Sequence, residues 1–353
     1  MAQDSGLLLY CRPGFEKECA GEIQEKAAAA GLPGYVIARE GDGFLLYQHL
    51  GTDSSGTIVD FGDLIFARQF LFDPARIEDL PVGDRAAPLI ERAAAMGGPY
   101  SEIWLETADT NDGKALSALT RRFGGAFLRA ARAAELIGAE TAAPRLHLLF
   151  LDSTTVILAL SDPANSAPWP MGIPRLKFPR GAPSRSTLKL EEAFLTFVRD
   201  PQRRLAPAMS AVDLGAAPGG WTWQLVRRHL RVVAVDNGSL QPDLLESGLV
   251  EHVRTDAFRY RPAKRVDWLV CDVVEQPSRI AALVARWALE GWCGQAIFNL
   301  KLPMKKRYLE VQRCGRMIEE ALTGAGIAHS LRFKQLYHDR EEVTGYLDLA
   351  GSS

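Results

Sequence analysis

Hydrophobic and polar positions follow two different patterns along this chain, and the change falls near residue 161. Before it, strand-like apolar runs and segments of helical spacing succeed each other in no fixed order. Strands are predicted at 6–11, 35–40, 43–49, 64–72 and 101–107, a hairpin over 145–161, and helices at 15–32, 86–96 and 113–137. This mixed order predicts an α+β region over residues 1–161.

From residue 187 onward, strands and helices alternate strictly. Strands are predicted at 210–215, 231–236, 251–255, 266–273 and 295–301, helices at 187–199, 221–230, 277–290 and 304–323, and a closing pair of strands over 328–337 and 341–350. Apolar strands that alternate with helices indicate a parallel sheet covered on both faces. The sequence therefore predicts a Rossmann-like α/β domain over 187–353, with an antiparallel hairpin at its edge.

A proline-rich segment separates the two regions. It carries six prolines, which interrupt every periodicity: Pro163, Pro168, Pro170, Pro174, Pro179 and Pro183. We interpret residues 162–186 as a connecting segment.

Composition narrows the class of protein. The 353 residues are 47% hydrophobic and 24% charged, which is ordinary globular usage. No apolar run approaches the ~20 residues of a membrane helix, and the amino terminus does not resemble a signal peptide. The five cysteines form no metal-ligand spacing. We expect a reduced, cytoplasmic, monomeric protein without a metal and without membrane contact.

Charge is distributed unevenly between the two regions. Residues 1–170 carry 14 Lys and Arg against 23 Asp and Glu, a net charge of −9, whereas residues 171–353 carry 27 against 20, a net charge of +7. A positive carboxy-terminal region fits an anionic partner such as nucleic acid. A modest excess of cations is also common on solvated surfaces, so charge alone leaves both interpretations open.

A glycine-rich turn joins the first predicted strand of the α/β region to the next helix. The string from Val212 to Trp221, VDLGAAPGGW, has the spacing G-x-x-x-G-G. A dinucleotide fold requires G-x-G-x-x-G and a P-loop requires Gly-Lys-Ser/Thr, so this spacing argues against a Rossmann-type oxidoreductase and a P-loop NTPase. Asp213, directly before the turn, would repel a pyrophosphate but favour a cationic ligand such as S-adenosyl-L-methionine.

Carboxylates end the strands that follow. Asp236 lies 23 residues after Asp213, where such folds place a carboxylate against ribose hydroxyls. Asp256 and Asp272 end the next two strands, with Asp256 near the expected adenine. Because parallel strands end at one edge of a sheet, the three are expected together at the cofactor site.

Several long strings carry a family resemblance. SRSTLKLEEAF (184–194), VDLGAAPGGWTWQLV (212–226), CDVVEQP (271–277), IFNLKLPMKKRY (297–308) and LYHDREEVT (336–344) closely resemble the bacterial large-subunit ribosomal RNA cytidine 2′-O-methyltransferases of the RlmM type. These belong to the FtsJ-related RNA ribose methyltransferases. The resemblance implies S-adenosyl-L-methionine as cofactor, ribosomal RNA as substrate, and a THUMP-type, ferredoxin-like amino-terminal region that binds RNA.

The wider group uses a Lys-Asp-Lys-Glu tetrad, which the resemblance assigns here to Lys189, Asp272, Lys301 and either Glu341 or Glu342. We choose Glu341, because Asp-Arg-Glu aligns with the Ser-Arg-Glu of relatives. Lys301 corresponds to the proton-accepting lysine. The implied cofactor-binding residues are Ser186, Asp213, Gly215, Ala217, Pro218, Gly219, Gly220, Trp221, Asp236, Asp256 and Asp272.

A ribose 2′-hydroxyl becomes a good nucleophile only when a base removes its proton. A lysine can serve if its neutral form is populated, and a second ammonium nearby lowers its pKa. Lys189 and Lys301 could form such a pair, although Asp272 and the glutamate oppose the effect. Cys271 is predicted to be a buried structural thiol and not a nucleophile for pyrimidine methylation.

Basic residues near the predicted site are candidates for RNA contact. Arg185 lies in a stretch without acidic residues, and Lys305, Lys306 and Arg307 are predicted in the first turn of a helix, where cations oppose the helix dipole. That placement indicates an anionic partner such as phosphate. The sequence thus predicts an RNA ribose methyltransferase, with a noncatalytic RNA-binding protein of the same fold as the alternative.

Overall fold

The computed structural model describes residues 6–50 and 59–349. The chain forms two compact units, Met1–Pro174 and Arg175–Ser353, and the division falls inside the segment predicted as a connection. The first half of that segment belongs to the first unit. Its Asn165 accepts a hydrogen bond from the backbone N–H of Phe61 at 2.7 Å, and a short 3₁₀ turn, Pro170–Gly172, packs against the strands of that unit.

The first unit is built on a mixed sheet with helices against it. The order of seven strands in the described residues is β2-β3-β1-β4-β7-β6-β5, antiparallel except for the parallel pair β5 and β6. The strands are β1 (Gly6–Cys11), β2 (Gly34–Ala38), β3 (Phe44–His49), β4 (Ala67–Ile77), β5 (Ile103–Thr107), β6 (Arg145–Phe150) and β7 (Val156–Ser161); the helices are α1 (Glu16–Ala29), α2 (Ala86–Ala95) and α3 (Asn111–Ala133). The predicted α+β class is confirmed.

A buried polar network crosses the first sheet. Glu106 of β5 accepts hydrogen bonds from the Tyr10 hydroxyl at 2.8 Å and from the Met171 backbone N–H. It also contacts His147 Nδ1 at 2.9 Å, while His147 Nε2 contacts the Ser161 hydroxyl at 2.8 Å. This network joins β1, β5, β6 and β7.

The second unit alternates strands and helices, as predicted. The strands are β8 (Ser210–Leu214), β9 (Arg231–Val235), β10 (Val250–Val253), β11 (Val266–Cys271), β12 (Cys293–Lys301), β13 (Ser330–Lys334) and β14 (Glu342–Asp348); the helices are α4 (Thr187–Phe197), α5 (Pro201–Arg204), α6 (Gly220–Val226), α7 (Pro242–Glu246), α8 (Pro277–Leu289) and α9 (Arg307–Gly324). Residue 350, the last of the predicted closing strand, lies outside the described residues.

The second sheet has the order β10-β9-β8-β11-β12-β14-β13. Its first five strands are parallel, and β14 pairs antiparallel with both β12 and β13, which confirms the predicted edge hairpin. Apolar cores fill both faces and include the fully buried Trp268 and Trp287. The parallel strands therefore end together at one edge, beside the amino terminus of α4.

One predicted helix boundary is wrong in a way that affects the site. The helix expected from residue 304 begins at Arg307, and Lys306 has the left-handed φ of 57° that ends the preceding loop. Lys305 and Lys306 therefore precede α9 and do not lie in its first turn. The left-handed backbone at Lys306 cannot be part of a right-handed helix, so α9 begins at the next residue.

Candidate active site

Four charged side chains converge at the carboxyl edge of the second sheet. Lys189 projects from the first turns of α4, Asp272 follows β11, Lys301 ends β12 and Glu342 begins β14. Lys301 Nζ lies 3.4 Å from both Asp272 Oδ1 and Glu342 Oε2, and Lys189 Nζ lies 4.0 Å from Asp272 Oδ2 and donates a hydrogen bond to Glu342 Oε1. The two lysine nitrogens and two carboxylates thus alternate around one small site.

The choice of Glu341 as the fourth member is corrected by the strand register. Glu342 pairs with Lys301 across the antiparallel strands, and its side chain is only 7% exposed. Successive strand residues point to opposite faces, so Glu341 points away: it is 64% exposed and binds Arg307 at 2.9 Å. The sequence could not decide between adjacent glutamates because the choice depends on which face of β14 meets the lysines.

The electrostatics of the cluster differ from the expectation that each lysine lowers the pKa of the other. Burial alone would lower the pKa of Lys189, but Asp272 and Glu342 outweigh it and raise that pKa above the ordinary lysine value. Burial would raise the pKa of Glu342, but the two lysines outweigh it and lower that pKa. Lys189 and Glu342 therefore form an ion pair within the site, and Lys189 stays an ammonium.

The two lysines differ in access. The side chain of Lys301 is 26% exposed and makes only 3.4 Å contacts, whereas that of Lys189 is 14% exposed and is hydrogen-bonded to Glu342. The Lys301 nitrogen is consequently the more accessible of the two.

The glycine-rich turn lies beside this cluster and is held by close packing. Gly215 has φ +80°, and a Cβ there would lie 2.8 Å from a methyl group of Val273. A Cβ at Gly220, at the start of α6, would lie 2.4 Å from the Ser186 hydroxyl and 2.5 Å from the Ser184 hydroxyl. The glycines therefore let the turn approach both the strand edge and α4. Pro218 and Gly219 lie between them, and Gly219 has φ +113°.

Two residues expected to touch the cofactor are buried next to the glycine-rich turn and support it. Asp213 has no exposed surface and accepts a hydrogen bond from Thr222 at 2.6 Å, while burial raises its pKa to about 7. Trp221 is 2% exposed and donates to the Ser186 carbonyl at 3.0 Å. Their predicted direct contact with the cofactor is therefore corrected to a supporting position, because the strand and helix direct both side chains inward.

A cleft of about 340 Å³ opens at the same edge. Its lining includes Gly215, Asp236, Asp256, Phe258 and Val273. The Asp236 carboxylate is oriented by the backbone N–H groups of Ala217 at 3.0 Å and Gly238 at 2.7 Å. A cleft of this size, with carboxylate acceptors suited to ribose hydroxyls and an adenine amino group, fits the nucleoside part of S-adenosyl-L-methionine.

The predicted RNA-contacting cations occupy different environments. Arg185, Lys305 and Lys306 are exposed. Arg307 is 18% exposed and pairs with Glu341, so it contributes less free charge than predicted. The neighbouring Met304 is 93% exposed, which places an apolar side chain among these cations.

Sequence reasoning missed the polar residues behind the cluster. Asn299 of β12 donates to Asp272 Oδ1 at 2.9 Å, and Glu192 of α4 accepts the backbone N–H groups of Tyr337 and His338 at 2.7 and 2.9 Å. Asn299 lies in the string IFNLKLPMKKRY (297–308) and Glu192 in SRSTLKLEEAF (184–194), two of the strings that carry the family resemblance.

Three protein-family models cover most of the chain. Residues 4–71 match the RlmM ferredoxin-like domain, residues 84–162 match the amino-terminal model of ribosomal RNA large subunit methyltransferase M, and residues 182–312 match the FtsJ-like methyltransferase. The ribosomal RNA large subunit methyltransferase M of Methylococcus capsulatus is 59% identical, over 99% of both chains. The chain belongs to the ribosomal RNA large subunit methyltransferase M (RlmM) family. The enzyme of the same name from Cellvibrio japonicus is 52% identical, over 97% of this chain and 98% of that one.

Membership of the RlmM family confirms the methyltransferase fold and the ferredoxin-like portion of the first unit. The THUMP assignment stays a prediction. Among solved structures, TrmN from Thermus thermophilus has a TM-score of 0.36 and 14% identity, over 98% of this chain and 99% of that one.

Cys271 is buried as predicted, and burial raises its pKa to about 12. None of the described helices is long and apolar enough to cross a membrane.

Proposed function

We propose that this RlmM-family chain transfers a methyl group from S-adenosyl-L-methionine to the ribose 2′-hydroxyl of a cytidine in large-subunit ribosomal RNA. The observation that carries this proposal is the alternating cluster of Lys189, Asp272, Lys301 and Glu342 at the edge of an FtsJ-like fold. The identity and coverage of the RlmM relatives support the choice of ribosomal RNA as substrate.

The cofactor would be held by residues of the turn and the cleft. Asp236 and Asp256 would accept hydrogen bonds from its ribose and adenine, while Gly215 and Ala217 let it approach the backbone. Ser186 lies across from Gly220 at the start of α4 and would face its amino-acid end. S-adenosyl-L-methionine supplies an activated methyl group, so the protein has to supply alignment and a base.

The residues of the cluster divide this work. Lys301, at the end of a rigid buried strand, accepts the proton of the 2′-hydroxyl. Asp272 and Glu342 hold its amine from two sides, at 3.4 Å each. Lys189, kept cationic by the same carboxylates, stabilises negative charge that develops on the ribose oxygen.

RNA is the proposed partner of the surface around the cluster. The exposed Arg185, Lys305 and Lys306 would contact phosphates. Met304, between the cluster and these lysines in sequence, would pack against a base or sugar. We propose that the protein acts as a monomer in the cytoplasm, and that the first unit contributes further RNA contact despite its net negative charge.

Methyl transfer to defined RNA tests this function. Purified protein, labelled S-adenosyl-L-methionine and large-subunit ribosomal RNA from cells that lack the gene should give one 2′-O-methylated cytidine. The same nucleotide should lack the methyl group in those cells and regain it when the gene is restored. Binding of this RNA without methyl transfer under any of these conditions would favour the noncatalytic alternative.

A further inference from the structure

A second pair of residues lies directly behind the charged cluster, one step further into the sheet. Asn299 pairs with Thr344 across β12 and β14, two residues inside the pair formed by Lys301 and Glu342. Strand residues two apart share a face, so both pairs lie on the same side of the sheet. Unlike the outer pair, Asn299 and Thr344 are fully buried.

These residues belong to a hydrogen-bonded chain that ends at Asp339. Asn299 Nδ2 lies 2.9 Å from Asp272 Oδ1, and Asn299 Oδ1 lies 2.8 Å from the Thr344 hydroxyl. That hydroxyl lies 3.0 and 3.2 Å from the two carboxyl oxygens of Asp339, which is also fully buried. The chain therefore runs from a buried carboxyl group to the active-site carboxylate Asp272.

A count of the available hydrogens fixes the direction of this chain. Only the nitrogen of Asn299 can donate to the Asp272 carboxylate, so the amide oxygen faces Thr344. The Thr344 hydroxyl has one hydrogen, and a buried amide oxygen left without a donor is destabilising. When that hydrogen goes to Asn299, the contacts of 3.0 and 3.2 Å between the Thr344 hydroxyl and Asp339 are hydrogen bonds only if Asp339 donates. Asp339 can donate one only in its protonated form.

The surroundings of Asp339 agree with a neutral carboxyl group. Burial raises the pKa of Asp339 well above the ordinary aspartate value, and the charge of Glu342 raises it further. Glu192 acts in the same direction, whereas Lys189 and the Leu336 backbone N–H, which donates to Oδ2 at 3.0 Å, act against it.

The loop that carries Asp339 is itself fixed. Glu192 accepts the backbone N–H groups of Tyr337 and His338, and it contacts His338 Nδ1 at 2.6 Å. The conformation of this loop therefore depends on α4, the helix that also carries Lys189.

We propose that neutral Asp339 is a positioning residue for methyl transfer, acting through Thr344 and Asn299 to hold the Asp272 carboxylate between Lys189 and Lys301. This inference rests on the proposed function of the cluster. Without this chain, Asp272 could rotate toward either lysine nitrogen, and the geometry of Lys301 would be lost with it.

Matched substitutions in the full-length protein test the chain. Asp339→Asn keeps a neutral donor and should retain single-turnover methyl transfer within about threefold of wild type. Thr344→Val cannot pass on the hydrogen bond and should lower the rate about 10- to 100-fold, by analogy with the loss of a hydrogen-bond partner that orients a metal-ligating side chain. Thr344→Ser restores the hydroxyl and should recover most of the rate. S-adenosyl-L-methionine affinity should be the same in all three.

Two outcomes would overturn the proposal. Asp339→Asn as slow as Thr344→Val would show that the carboxylate form is required, and Thr344→Val at the wild-type rate would show that the chain positions nothing. Infrared difference spectra of wild type and Asp339→Asn, with isotope-labelled aspartate, give an independent measurement near neutral pH. If the band that is lost in the variant is that of a carboxylic acid, Asp339 is neutral in the wild type. If the lost band is that of a carboxylate, the proposal is contradicted. Because the spectra need no RNA, they separate this inference from a failure of the proposed function.

Discussion

At the scale of single residues, Lys301 is distinguished from Lys189 by access and not by type. Both lysines touch the same two carboxylates, but Lys189 is hydrogen-bonded to Glu342 and its pKa is raised by the carboxylates, whereas Lys301 makes contacts of 3.4 Å. The expectation that two ammonium groups would depress one another's pKa considered their mutual repulsion, whereas the carboxylates between them reverse its effect on Lys189. We therefore propose that Lys301, which has the looser contacts, is the lysine that exchanges a proton.

We expect Lys301→Ala to lower single-turnover methyl transfer by about 10²- to 10⁴-fold, the usual contribution of a positioned base. S-adenosyl-L-methionine affinity, measured by calorimetry, should change little because Lys301 lies outside the nucleoside cleft. Lys301→Arg should fail as well, since arginine keeps the charge but cannot release its proton. Near-normal transfer by Lys301→Arg would instead make Lys301 a cation that positions RNA.

The adjacent glutamates provide a matched pair of variants. Glu342→Gln removes the carboxylate that touches both lysines, so we expect methyl transfer to fall at least tenfold with little change in RNA affinity. Glu341→Gln changes only an exposed partner of Arg307 and should transfer within about twofold of wild type. Equal loss in both variants, or loss in Glu341→Gln alone, would contradict the assignment of Glu342 to the cluster.

At the scale of elements, buried polar side chains join neighbouring strands and helices by hydrogen bonds. In the first unit, Glu106 joins Tyr10, His147 and Met171. In the second, Asp213 on β8 binds Thr222 on α6. Each of these carboxyl groups connects neighbouring elements. Burying it also carries a desolvation penalty, whose size depends on its hydrogen-bond partners and its protonation state.

Removing the Glu106 side chain should destabilise the first unit strongly. Glu106→Ala leaves several buried groups without their acceptor, and we expect the free energy of unfolding to fall by about 3–5 kcal/mol. Glu102 directly precedes β5 and is a 54% exposed partner of Arg145. Glu102→Ala should lower the free energy of unfolding by only about 0–1 kcal/mol. Urea unfolding of both variants measures the difference, and similar values would argue against a stabilising network.

Asp213 should make stability depend on pH near neutrality. Burial raises its pKa to about 7, against 3.8 for an ordinary aspartate. Between about pH 4 and 7 the native state holds a proton that the unfolded chain has released, so the free energy of unfolding falls as pH rises through this window. Asp213→Asn removes that term, and the variant should gain up to about 1.4 kcal/mol per pH unit relative to wild type. Parallel pH curves from urea unfolding would contradict this.

At the scale of the whole molecule, the two compact units differ in charge. Residues 1–170 are net negative and residues 171–353 net positive, yet both belong to one RlmM-family chain. Net charge therefore predicts that the second unit supplies the general attraction to RNA. We expect local faces of the first unit to supply selectivity.

We expect the fragment 175–353 to bind S-adenosyl-L-methionine but to methylate RNA more slowly than the full chain at limiting RNA concentration. The difference should shrink at saturating RNA, because the missing unit contributes binding and not chemistry. Circular dichroism and cofactor binding confirm that the fragment is folded. Equal rates at limiting RNA would show that the first unit is not needed for recognition.

Much of this protein was determined by the sequence alone. Apolar periodicity predicted both sheets because strands and helices bury residues at different spacings, and the parallel strands brought Asp272 and Lys301 to one edge. The glycine turn and its resemblance to RlmM enzymes indicated the cofactor. These features are local, so a linear pattern can carry them.

Only the tertiary structure decided how side chains meet across the sheet. The register of β12 and β14 selected Glu342 over Glu341, packing turned Asp213 and Trp221 inward, and the loop before α9 moved Lys305 and Lys306 out of the helix. The chain from Asp339 through Thr344 and Asn299 to Asp272 joins residues 339 and 272, far apart in sequence. Such contacts depend on the distance between strands and on shared hydrogens, and neither is expressed in the pattern of any single segment.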